Sequence, residues 1–145
     1  MAEIPESTVA AVVAEISQKM ANPSFAQVAI GTFVERHPDA GRFVSLQAKE
    51  LGGSESVVHV IFHAQVISEC FRQHTGNEVP TLTFALLDAA TRPDPLAALG
   101  KSEPALRDYL EANVDQAPVR TSVAHLALAM RGVPNLGGRP KKPVR

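Results

Sequence analysis

Apolar residues recur along most of the chain at the spacing of an α-helix. In a first segment, about Pro5 to Ala21, Val9, Val12, Val13, Ile16 and Met20 fall at i, i+3, i+4, i+7 and i+11, flanked by Ala10, Ala14 and Ser17. Asn22-Pro23 then reads as an N-cap followed by proline at the first helical position. The second helix carries Phe25, Val28, Ile30, Phe33 and Val34 and ends at His37-Pro38. A third starts at that proline, with Asp39 at the positive end of its dipole. It turns Ala40, Phe43, Val44, Ala48 and Leu51 inward and stops at Gly52-Gly53.

Ser54 opens the longest helix, about Glu55 to His74, which Gly76 ends. A fifth is predicted to begin near Pro80, with Leu82, Leu86 and Leu87. A short turn spans Leu96 to Leu99 between Asp94-Pro95 and Gly100. Ser102 is expected to cap the next helix, which buries Leu106, Tyr109, Leu110 and Val114. The last, about Pro118 to Arg131, aligns Val119, Val123, Leu126 and Met130 and stops at Gly132.

Thr81-Leu82-Thr83-Phe84 alternates briefly, too short a run to define a strand. The pattern therefore predicts an all-α protein: a compact bundle of six or seven helices over residues 1–131, joined by short loops. Val9, Val13, Ile16, Phe33, Phe43, Ile61, Phe71, Leu86, Leu110, Val123 and Leu126 are its expected core. Residues 132–145, with Pro134, Gly137, Gly138, Pro140 and Pro143, read as a flexible basic tail.

Composition narrows the setting. A chain of 145 residues fits one domain and buries enough surface to need no disulfide or metal staple. Cys70 is the only cysteine, so no intrachain disulfide forms and a reducing compartment is expected. The first residues carry acids and no base before Lys19, the wrong charge for a secretory leader. No apolar run approaches the ~20 residues that span a bilayer. A cytoplasmic protein is the expectation. Arginine outnumbering lysine and abundant alanine suggest a GC-rich bacterial genome.

Net charge is −1, divided between +5 from residue 131 onward and −6 in residues 1–130. An acidic body disfavours broad phosphate contacts, so nucleic acid is not the expected partner. The link at Gly52-Gly53-Ser54 resembles a helix-turn-helix corner, but the long helix offers only Arg72, near its end, as a base. The basic residues Arg139, Lys141 and Lys142 remain candidates for contact with an acidic partner surface.

Motifs of common catalysis are missing: no phosphate-binding glycine loop, no Gly-x-Gly-x-x-Gly, no His-Glu-x-x-His and no Gly-x-Ser-x-Gly. No Glu has a His three residues later, which removes the usual di-iron pattern. One constellation stands out on the long helix. With His59 at zero and ~100° per residue, His63 falls near ~40°, Cys70 near ~20° and His74 near ~60°.

His59 and His63 are spaced i, i+4, so two imidazoles can reach one zinc or other divalent ion; Cys70 and His74 repeat the spacing. The pairs are separated by ~10.5 Å of helix rise, too far to share an ion. Further ligands would have to come from His37, His125, a carboxylate or a partner chain. The competing expectation is structural: imidazoles packed at the margin of a core, and a thiol acting as a small hydrophobe.

Val58 and Phe62, also i, i+4, interrupt the polar arc of the same helix, and the second helix is apolar around most of its circumference. Such faces are either central in a bundle or covered by another chain. The sequence thus favours a non-catalytic helical interaction or assembly module, self-associating through residues 55–74. Its contacts would be Val58, Phe62, Cys70, His74 and the basic tail. The alternative is a small metal- or ligand-binding bundle using His59 and His63. An enzyme using a histidine or Cys70 ranks third, because nothing marks an orienting carboxylate or an activated thiol.

Overall fold

Proline sets several of the helix starts. A computed structural model describes residues 3–132, which contain nine α-helices and, among those residues, no strand. They are α1 (Glu6–Lys19), α2 (Phe25–Arg36), α3 (Pro38–Ser45), α4 (Ala48–Leu51), α5 (Ser54–Thr75), α6 (Phe84–Ala89), α7 (Pro95–Ser102), α8 (Pro104–Asn113) and α9 (Ala117–Arg131). Pro38, Pro95, Pro104 and Pro118 occupy the first or second helical position, where a missing N–H costs nothing.

The residue before a proline is pushed out of the helical region. His37 (φ −132°, ψ 67°), Asp94 (φ −133°, ψ 88°) and Glu103 (φ −141°, ψ 71°) accordingly share one backbone geometry. At each of them the chain corners sharply between helices or into one.

The helix count corrects the expected six or seven. The third predicted helix divides at Leu46-Gln47, where the N–H of Gln47 bonds back to Val44 and α4 starts afresh. The fifth begins at Phe84 rather than near Pro80, because Thr83 is the cap: its hydroxyl accepts the N–H of Leu86. Ser102 is no cap. It ends α7 and donates back to the carbonyls of Ala98 and Leu99, while Glu103 takes the corner before Pro104. Two of the stops fall at the expected glycines, Gly52 (φ 107°) and Gly76 (φ 81°), both left-handed.

The long helix α5 is the axis of the fold and packs against α1, α2, α3, α4 and α9; α9 in turn contacts α4, α6, α7 and α8. Of the expected core residues, Val9, Phe33, Ile61, Phe71, Leu110, Val123 and Leu126 are buried. Val13, Ile16, Phe43 and Leu86 are half-buried and packed against that core. Val60, Ala64 and Ile67 of α5 and Ala124, Ala127 and Met130 of α9 belong to one continuous apolar cluster at the packing of these two helices. No helix among the described residues is long and apolar enough to cross a membrane.

Two buried polar side chains bind distant backbone. Glu103, fully buried, accepts the N–H of Ile4 at 2.8 Å with one oxygen and Arg131 Nε at 2.9 Å with the other. His37, also buried, tilts against Phe33 and accepts the N–H of Leu82. Both sit at pre-proline corners, where the extended backbone turns a polar side chain inward. That turn satisfies N–H groups of non-helical segments that would otherwise be buried without a partner.

Candidate functional site

Two concave regions flank α5. The first is a groove of about 340 Å³ between α1 and α2, floored by α5. Its apolar lining includes Ile16 from α1, Phe25 and Val28 from α2, and Phe62 and Val66 from α5. Val28 is 62% exposed although its helix also carries Phe25, Ile30, Phe33 and Val34. Val58, one turn before Phe62 on α5, is exposed as well. Phe62 is half-buried, its ring edge-on to that of His63.

Charge on this groove is paired in both signs. Lys19 bridges to Glu15 at 3.4 Å, Arg72 to Glu69 at 2.8 Å, and Arg36 is bound to Glu78. Lys19 also lies over the Phe25 ring, 6.0 Å from its centroid. The lining thus carries the acids Glu15, Glu69 and Glu78 and the bases Lys19 and Arg72, with Arg36 reaching Glu78 from outside it.

The second region is a cleft of about 330 Å³ between α5 and the turn joining α8 to α9. His59 and His63 form one wall; Asn113, Asp115 and Gln116 form the other, with Val114 and Val119 beside them. The turn is held by Arg120, which donates to the carbonyls of Val114 and Asp115, and by Ser56, which donates to Gln116 Oε1. His59 is exposed and has no hydrogen-bond partner among the described residues. His63 is half-buried, with Nδ1 2.8 Å from the Tyr109 hydroxyl of α8. Burial, followed by the neighbouring His59 charge, lowers its pKa to about 4, so the ring is neutral at neutral pH. Burial also holds the Tyr109 phenol above its ordinary range, so that hydroxyl remains protonated.

The predicted stripe on α5 therefore divides. His59 and His63 share the cleft, His74 is half-buried in the last turn, and Cys70 lies in the core. Burial, then the charge of Glu69, pushes the Cys70 thiol up to about 12, so it is neither a nucleophile nor accessible at the surface. His37 and His125 do not join the pair. His37 is committed to Leu82, and His125 donates to the Leu87 carbonyl at 2.7 Å against the edge of Phe43. No group of three His, Cys, Asp or Glu converges as a metal-ligand set among the described residues. Arg139, Lys141 and Lys142 lie outside the described residues.

The sequence locates Val58, Phe62, His59 and His63 but not what faces them. Its apolar spacing marks Tyr109 only as core, and Asn113, Asp115 and Gln116 form no pattern with residues fifty or more positions earlier. The groove has a signal in the circumferential apolarity of α2, without the register that puts Val28 and Phe62 on one groove. Comparison with protein-family models, curated proteins and solved structures finds no match.

Proposed function

We propose that this chain is a non-catalytic helical interaction module that self-associates through the groove formed by α1, α2 and α5. The observation that carries this reading is Val28, 62% exposed on the same groove as Phe25 and Phe62. Burying a valine or phenylalanine side chain contributes roughly 1.5–3 kcal/mol, a driving force left unused while the groove faces water.

A second copy is the occupant favoured by charge. Residues 1–130 carry −6, so contact between two such bodies is disfavoured wherever their acids are left unpaired. On the groove the acids are paired within the chain, Glu15 with Lys19, Glu69 with Arg72 and Glu78 with Arg36, so this face opposes a second copy less than unpaired acids would. Val58 extends the apolar strip by a turn and would sit at its edge.

Sedimentation equilibrium of the full chain, alone and as Val28→Glu, tests the reading. The expected result is a concentration-dependent dimer that the substitution converts to monomer with helicity unchanged. A strictly monomeric parent chain across the micromolar range, or a dimer indifferent to Val28→Glu and to Phe25→Glu, overturns it.

A further inference from the structure

The groove leaves the cleft on the other flank of α5 without a role. We propose that His59 and His63 bind a divalent transition-metal ion, such as copper(II), nickel or zinc, at the mouth of this cleft. The backbone makes this possible: side chains at i and i+4 lie one above the other, about 5–6 Å apart at Cβ. From there two imidazole nitrogens reach a common ion at roughly 2.0–2.1 Å each. α5 is a rigid platform for the pair, since it packs against α1, α2, α3, α4 and α9.

The two rings are prepared differently. His59 is exposed and unbonded among the described residues, so its ring turns toward an ion without breaking a contact. His63 is oriented through Nδ1 by the Tyr109 hydroxyl at 2.8 Å, which leaves Nε2 as the nitrogen for the ion. Metal-bound imidazoles almost always give their other N–H to an oxygen, and a phenol oxygen can accept it. Tyr109 is thus a positioning residue for this site.

The opposite wall defines what else the ion meets. Asp115 and Asn113 bring a carboxylate and an amide to the same space, which favours a cation with its waters, while Gln116 Oε1 is held by Ser56. With no third His, Cys or carboxylate close enough to ligate among the described residues, the ion keeps water in its remaining positions. A donor set led by two imidazoles selects along the transition-metal series and peaks at copper(II). Calcium and magnesium, which require oxygen cages, are excluded. Cys70 takes no part: it lies ~10.5 Å along the helix from His63, and its thiol is buried.

Calorimetric titration of the untagged full chain with nickel chloride, and copper(II) electron paramagnetic resonance, test the site. One ion per chain is expected, with hyperfine coupling from two imidazole nitrogens. His59→Ala, on an exposed position that leaves the fold intact by circular dichroism, should weaken binding at least tenfold. His59→Ala/His63→Ala should abolish it, whereas His74→Ala and His125→Ala leave it unchanged. Tyr109→Phe, which keeps the ring but removes the oxygen, should weaken it by roughly tenfold. No binding by the parent chain, or undiminished binding by the folded double variant, overturns the proposal.

Discussion

His37 Nδ1 accepts the backbone N–H of Leu82 at 3.1 Å, across 45 residues of sequence. The bond needs an unprotonated nitrogen, and the surroundings favour that state. Burial first, then the Arg36 charge, against a weaker pull from Glu78, lowers the pKa from 6.5 to about 4. Between these values the unfolded chain takes up a proton that the native chain refuses. Stability is therefore complete above pH 6.5 and is lost as pH falls toward 4. His63, lowered to about 4 mainly by burial, acts in the same direction. Each ring is expected to contribute a loss of up to about 2 kcal/mol by pH ~5. Urea melts at several pH values measure this, and His37→Gln, which keeps an acceptor but does not titrate, should flatten the dependence.

Glu103 joins three parts of the chain, and its removal should be costly. Glu103→Ala deprives the buried Ile4 N–H of its acceptor and removes the ion pair to Arg131 Nε, an expected loss of about 3 kcal/mol. Glu103→Gln retains an acceptor for Ile4 and should lose less. Chemical denaturation ranks the two; equal effects would mean that the hydrogen bond to Ile4 contributes nothing.

Two glycines should respond to alanine in opposite ways. Gly53 (φ 122°, ψ −178°) occupies a region nearly closed to other residues, so Gly53→Ala should destabilise by about 1–3 kcal/mol. Gly31 lies inside α2, and a Cβ added there would meet nothing within 4 Å, so Gly31→Ala should stabilise by about 0.5–1 kcal/mol. Thermal melts of the two variants should move in opposite directions.

Cys70 should behave as a core atom. Its thiol is buried and pushed up to about 12, so a disulfide reagent should label the native chain only as fast as the chain opens. Labelling rates measured with rising denaturant should follow unfolding, and labelling on mixing in native buffer would contradict the burial described.

The helices are legible because local signals specify them. Apolar spacing, the prolines at residues 38, 95, 104 and 118, and the stops at Gly52 and Gly76 act within a few residues of the positions they govern. What escapes the sequence depends on distant partners. The break at Leu46-Gln47 has no proline or glycine to announce it. Residues 77–83 avoid the helix where His37 holds Leu82 and Asp39 accepts the N–H of Phe84. The pairing of His63 with Tyr109 spans 46 residues. No periodicity along one segment encodes which other helix will lie across it.

Glu103 has a topological corollary. One carboxylate oxygen holds Ile4 and the other holds Arg131, so the first and last described helices begin and end beside one another. Over the described residues the backbone path nearly closes on itself. In a chain cut to residues 3–132, a short linker joining those two positions, with new ends opened in an exposed turn, should yield a circular permutant that retains the same helices in a different order of synthesis.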